Sequence, residues 1–260
     1  MEIKLQKFVS DCGLMSRRSA EKEIASGKFQ INGTKASVGD RIDPEKDLVT
    51  YNGKPVRKPS GRKTYLLIYK PAGIVTTMSD EMGRKTVADL VSGRAGRLYP
   101  VGRLDKDSEG LLIMTDDGEF ANRVMHPSGE IRKTYVAFLR GYVENNQLDH
   151  LRAMRELEGK PINPVDVSLI DRSDRVSRVR FVLTEGKNRQ IRKMCEETGL
   201  SVMQLKRVQI GDIHIGNMAP GDVRDLTAAE KRSLEKRAAG PQNTKERKQN
   251  RGRTEKRNDL

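Results

Sequence analysis

The chain lacks any run of about 18 apolar residues, the length a helix needs to cross a bilayer. Its opening residues, MEIKLQKFVS, lack the longer apolar stretch of a secretory signal. Cysteine is scarce: Cys12 and Cys195 stand alone, each in a predicted helix and without C-x-x-C spacing. That pattern fits two buried, reduced thiols in the cytoplasm and argues against a disulfide framework. His126, His150 and His214 are too scattered to complete a metal site with those cysteines. No P-loop, GxGxxG or HExxH motif occurs, and no internal repeat. Nothing therefore points to a metal, a nucleotide or another small-molecule cofactor.

What the chain has in excess is positive charge. Fifty Lys and Arg face 36 Asp and Glu, a net charge of +14 over 260 residues, spread along the whole length. Such an excess points to a polyanionic partner, nucleic acid before membrane. The length suffices for one medium domain plus a small one.

Residues 1–56 read as the small unit. Leu5, Phe8, Val9 and Cys12 recur at helical spacing up to Gly13, and Ser16 is placed to cap a second helix over Arg17 to Ser26. Ala20 and Ile24 mark that helix's inner face, while Arg17, Arg18, Lys22 and Lys28 lie on or beside its other side. Asn32-Gly33 and Asn52-Gly53 are tight-turn signals. Residues 57–63, within VRKPSGRK, have no apolar periodicity and read as a flexible basic linker. A larger domain follows over 64–237, and from 238 to 260 the chain turns basic and polar, the composition of a disordered tail.

Within the larger domain, Tyr99 to Gly118 reads YPVGRLDKDSEGLLIMTDDG: a charged loop running into the apolar strand Leu111–Met114. Asp105 sits between Arg103 and Lys106 at the end of that loop. Taken alone it reads as a turn carboxylate in a local ion pair, the usual fate of a lone Asp. Asp116 and Glu119 have the spacing of a capping box for the next helix. Tyr135 stands on a strand after Lys133-Thr134, Leu148 to Leu157 reads as a helix, and Val179, Phe181 and Leu183 alternate onto one side of another strand. In EGKNRQIRKMC, a helical wheel puts Ile191, Met194 and Cys195 on one stripe. On it Arg192 falls at the margin, and Arg189 and Lys193 lie nearly opposite.

GRLDKDSEGLLIMT resembles the catalytic-loop signature of the pseudouridine synthases, in the branch that modifies ribosomal RNA and carries an S4 domain in front. The resemblance runs from about residue 2 to 235 and includes K-P-x-G at Lys70–Gly73, K-x-Y at Lys133–Tyr135 and L-x-R-x-x-I-G from Leu205. It implies an α+β protein: an S4-type RNA-binding domain, then a synthase domain with a largely antiparallel mixed sheet and flanking helices. It makes Asp105 the catalytic carboxylate, Arg192 its ionic partner and Tyr135 an active-site aromatic. Leu205 becomes an apolar wall for the base, and Arg103 a side chain that enters the space left by a flipped nucleotide. Tyr135 and Leu205 would read equally well as plain core. Lys187 and Arg189, with Arg17, Arg18, Lys22 and Lys28, are candidates for RNA contact. The implied partner is structured ribosomal RNA bound by a monomer, without membrane or cofactor. N-R-Q-I-R-K-M-C-E resembles most the large-subunit synthase F type. The competing readings are a non-catalytic S4-type RNA-binding or ribosome-assembly protein, and a synthase acting on 16S rRNA or tRNA.

Overall fold

The structure, a computed structural model, describes residues 1–59, 61–94, 96–126 and 129–239. The expected disordered tail lies, from residue 240 onward, outside the described residues. The chain divides into two compact units, one of residues 1–64 with 93–98 and 115–118, the other of residues 65–92, 99–114 and 119 onward.

In the first unit the apolar spacing closes into helices α1 (Leu5–Asp11) and α2 (Arg17–Ala25). Ser16 caps α2 by accepting the Ser19 N–H at 3.0 Å. Leu5, Phe8, Val9, Ala20 and Ile24 are buried with Phe29, Ile42 and Val49 in one core. Arg17, Arg18 and Lys22 remain on the exposed side of α2. Beside them the strands Phe29–Ile31, Thr34–Lys35, Val49–Tyr51 and Lys54–Pro55 form an antiparallel four-stranded sheet. Asn32 and Gly33 both take positive φ, 51° and 84°, as the expected tight turn requires. The linker expected over 57–63 belongs to this unit, whose first segment runs to Thr64. Lys63 Nζ donates to the Asp116 carbonyl at 3.4 Å, and the Thr64 N–H to the Asp116 carboxylate at 2.8 Å. Asp116 thus serves a backbone N–H across 52 positions, and the next helix begins two residues later, at Gly118.

In the second unit seven strands form the path of a mixed sheet. They are β1 (Tyr65–Lys70), β2 (Ser108–Thr115), β3 (Lys133–Arg140), β4 (Asp166–Arg172), β5 (Val176–Leu183), β6 (Val202–Ile210) and β7 (Val223–Asp225). Their order is β4-β5-β3-β6-β2-β1-β7. β3 is antiparallel to both β5 and β6, and β6 runs parallel to β2. Helices α3 (Val87–Leu90), α4 (Gly118–Met125), α5 (Asn145–Ala153), α6 (Gln190–Glu197) and α7 (Ala228–Ala238) flank the sheet. The alternation at Val179, Phe181 and Leu183 is a buried face, packed with Met194 and Cys195 of α6 and with Leu148 and Leu151 of α5. The α5 helix ends before Leu157, because Met154 turns to extended backbone at ψ 128°. A second core joins Leu111 and Ile113 of β2 to Phe120 and Leu234. This architecture is α+β.

Candidate active site

Asp105 stands where the charged loop enters β2, and the backbone on both sides of it is fastened. Upstream, the hydroxyl of Thr76 accepts the Leu104 N–H at 3.2 Å and donates to the Leu104 carbonyl at 2.6 Å. Downstream, the fully buried Lys70 ammonium donates to the carbonyls of Ser108 (2.8 Å), Pro71 (2.9 Å) and Lys106 (3.4 Å). The Gly73 N–H adds a bond to the Lys106 carbonyl at 2.7 Å. Burial pushes the Lys70 amine down to about 8, against the pull of the Asp107 and Asp105 charges. The Asp105 carboxylate is half-buried and faces a cleft of about 700 Å³. Among the described residues none donates a hydrogen bond to it, so a fixed backbone carries a free carboxylate.

The expected pair between Arg192 and Asp105 is not formed. Arg192, only 13% exposed, places Nε 3.2 Å from an Asp107 carboxylate oxygen. Its Nη2 donates to the Asp107 carbonyl at 2.9 Å and its Nη1 to the Val202 carbonyl at 3.2 Å. Arg189 takes the same carboxylate with both oxygens, at 2.9 and 3.0 Å. Burial pushes the Asp107 carboxyl up, but the Arg189 hydrogen bonds and both arginine charges hold it below the ordinary value. The helical wheel placed Arg192 well, at the margin of the buried stripe, but it does not apply to Arg189. That residue precedes α6 with left-handed backbone, φ 52°, and its side chain turns toward the Asp107 loop rather than away from it. Lys193 leaves the site altogether and pairs with Glu158 at 2.6 Å.

The opposite wall of the cleft comes from the sheet. Tyr135 and Lys133 project from β3, and Leu205 and Arg207 from β6, each pair two residues apart and so on one face. The register sets Tyr135 against Arg207, Ala137 against Leu205, and Leu205 in turn against Ser108 of β2. Leu205 is 5% exposed and packs in the main core while also lining the cleft. Arg207 is 3% exposed, and its strand lies so close to β2 that a Cβ at Gly110 would overlap its backbone. Gly110 also has φ +105°, so glycine is required twice over. Beneath this wall Glu109 accepts from the Tyr69 hydroxyl (2.7 Å) and from Gln204 (3.0 Å), and pairs with Lys206 at 3.3 Å, tying β1, β2 and β6 together.

The site thus gathers Asp105, Arg103, Tyr135, Leu205, Lys187 and Arg189 around one cleft and leaves Arg192 behind its wall. Arg103 is exposed at the cleft. Lys187 bonds the Pro161 carbonyl and lies 3.7 Å from Glu185. Arg17, Arg18, Lys22 and Lys28 belong to the other unit, where Lys28 is engaged by Glu23 at 2.7 Å. Sequence reasoning gave no role to Lys70, Thr76, Lys133 or Arg207, although three of the four stand inside motifs it quoted. The lysines are the first letters of K-P-x-G and K-x-Y, and Arg207 is the basic letter of L-x-R-x-x-I-G.

Comparison with known proteins identifies the family. A sequence profile described as RNA pseudouridylate synthase matches residues 64–197, the span that holds Asp105, Tyr135 and Arg192. The ribosomal large subunit pseudouridine synthase B of Bacillus subtilis is 39% identical over 235 residues, covering 89% of this chain and 95% of that protein. An uncharacterized RNA pseudouridine synthase of Aquifex aeolicus is 37% identical over 232 residues, covering 88% of this chain and 92% of that one. A crystal structure of a pseudouridylate synthase has a TM-score of 0.65 at 29% identity, over 89% of this chain and 99% of that chain. The chain belongs to the RNA pseudouridylate synthase family.

Proposed function

We propose that the protein converts uridine to pseudouridine at specific sites of large-subunit ribosomal RNA, with Asp105 as the catalytic carboxylate. The observation that carries this reading is a half-buried carboxylate, without a hydrogen-bond donor among the described residues, on a tightly fastened loop facing a cleft walled by an aromatic and a leucine. The reaction breaks the N1–C1′ bond, turns the uracil and rejoins it through C5, with a proton leaving C5 and one gained at N1. Atoms and electrons balance within the nucleotide, so the protein must supply position, charge and exclusion of water. A stacked uridine is out of reach, so the nucleotide flips into the cleft. Tyr135 and Leu205 then replace its lost stacking partners, and Arg103 enters the vacated helix and meets phosphate. Arg192 acts as a positioning residue: by holding the carbonyl and carboxylate of Asp107 it fixes the segment that follows Asp105.

The first unit serves as the RNA-holding domain, in the manner of an S4 domain, through the exposed cations of α2. The large-subunit assignment draws on the named Bacillus subtilis relative. That relative is of the B type, and the F-type reading stands on Asn188 to Glu196 alone. The test is a map of pseudouridine in ribosomal RNA from cells with the gene, without it, and with Asp105→Asn in its place. A large-subunit position modified only in the first is expected. Loss confined to 16S rRNA or tRNA would redirect the substrate assignment, and an unchanged map would remove the enzymatic reading of the cleft.

A further inference from the structure

The wall opposite Asp105 holds two cations whose charge no protein group matches. Arg207 Nε donates to the Leu111 carbonyl at 2.7 Å. Its Nη1 reaches the Tyr135 hydroxyl at 3.3 Å and the Arg103 carbonyl at 3.5 Å. Its Nη2 is buried without a partner. Lys133, half-buried one strand away, reaches only the Ile131 carbonyl, at 3.4 Å. Among the described residues neither forms an ion pair, and both line the cleft. They also repel each other: burial first, and then the Arg207 charge, lower the proton affinity of Lys133. Two neighbouring, unmatched cations in a desolvated wall destabilise the fold unless negative charge comes to meet them. Fixed donors aimed at charge that appears only during a reaction are the arrangement that accelerates it.

Resting on the pseudouridine reading, we propose that Lys133 and the free Nη2 of Arg207 form an anion-holding subsite for the ring oxygens of the detached uracil. When N1–C1′ breaks, its electron pair leaves with the ring and the charge spreads over N1 and the two carbonyl oxygens, while the electron-deficient C1′ is met by the Asp105 carboxylate until C5 bonds to it. The subsite holds that charge while the ring turns. C5 then bonds to C1′, the C5 proton is released, and N1 takes up a proton, which returns the ring to neutrality. Arg207 has a second task, holding the Tyr135 hydroxyl.

The test is single-turnover conversion by wild type, Lys133→Met, Lys133→Gln and Lys133→Arg. The target nucleotide is uridine, 2-thiouridine or 4-thiouridine, whose sulfur accepts hydrogen bonds poorly. Lys133→Met is expected to be slower by about 10²- to 10³-fold, the scale of losing one oxyanion donor. RNA Kd should stay within about threefold, and Lys133→Arg should recover most of the rate. At one of the two thio positions the penalty seen with wild type should largely disappear in Lys133→Met, since the contact it disturbs is already gone. If Lys133→Met does not fold, Lys133→Gln decides by the same measures. A near-normal rate in the folded Met or Gln variant, or a slow variant that keeps both thio penalties in full, overturns the proposal. Failure of wild type to convert unmodified RNA would instead overturn the reading of the cleft as a synthase site.

Discussion

The protein carries basic side chains in two settings, and they do different work. On α2, Arg17, Arg18 and Lys22 are exposed and surrounded by salt solution. In the cleft, Arg207 is buried, held by carbonyls and a phenol, and shielded from counterions. An exposed cation gains a fraction of a kcal/mol from each charge it meets, whereas fixed charge in a dry site acts at full strength on whatever develops beside it. In the function proposed above, the first kind delivers RNA to the protein and the second acts on the nucleotide. The two loop carboxylates divide in the same way. Asp107 is consumed by two arginines, and Asp105, two residues earlier, has no donor to its carboxylate among the described residues.

The hardest test of that division is Asp105→Asn, which keeps volume and removes the charge. Conversion should fall by about 10³-fold or more while RNA affinity stays within a factor of about two, because binding draws on the cations and not on this carboxylate. Single-turnover assays and filter binding on one RNA measure both. An Asn variant with a near-normal rate would leave the free carboxylate without its role.

Next in size is Arg192→Met. Its guanidinium touches Asp107 and Val202 rather than Asp105, so its removal should loosen the loop instead of abolishing the chemistry. The expected loss is about 10- to 100-fold in kcat with little change in KM, comparable to misplacing a catalytic group slightly. In a double-mutant cycle Asp107→Asn and Arg192→Met should fall short of additivity, since each breaks the same contact. A cycle that couples Arg192 to Asp105 instead would show that substrate re-pairs the arginine.

A smaller effect, but a more specific one, lies in pH. Lys133 is lowered to about 8, burial being the larger cause and Arg207 the second. It is a cation below that pH and neutral above it, so the rate should be full near pH 7 and fall about tenfold per unit well above 8. The titration of Lys133 does not itself unfold the protein over that range. A lysine whose value drops on folding binds fewer protons in the native state, so its contribution to stability rises as pH climbs from about 8 toward the unfolded value of 10.5. Activity should decline where this term stabilises the fold. Lys133→Arg should remove the alkaline limb, and a limb that persists would assign it to Lys70, which titrates in the same range.

What the sequence made legible was whatever is decided within a few residues. Ser16 caps its helix as its spacing implies, and the structure closes equally local capping boxes at Thr86–Asp89 and Thr227–Glu230. The two-residue alternation around Phe181 is a buried face for the same local reason. Partner choice was not legible. Arg192 lies 85 positions from Asp107, and nothing along the chain tells which of two carboxylates on one loop will face it. Asp116 shows the same limit, because its side chain accepts a backbone N–H 52 positions away, a bond that no local spacing foretells. Arg189 failed for another reason: a helical wheel presumes where the helix starts, and one left-handed residue at the boundary redirects everything before it. The cleft cations were visible as motif letters, but their unmatched charge exists only once β3 and β6 are paired.

The gentlest perturbation acts on α2. Replacing Arg17, Arg18 and Lys22 together by Ala leaves Ala20 and Ile24, and so the buried face, untouched. Stability should change little, since among the described residues none of the three is tied to a carboxylate. Every cation withdrawn from a phosphate should flatten the dependence of log Kd on log salt by about 0.7 to 0.9, so withdrawing three would reduce the slope by roughly 2 to 3. At saturating RNA the single-turnover rate should match wild type, because none of the three belongs to the cleft. Lys28→Ala should flatten the slope less than any of these single changes, as its ammonium is engaged by Glu23. The measurement is a salt titration of wild type, the triple variant and Lys28→Ala on one structured RNA, with turnover followed in parallel. Equal slopes would show that α2 never meets phosphate. A changed saturated rate would show that the exposed cations also shape the chemistry and would erase the division between the two regions.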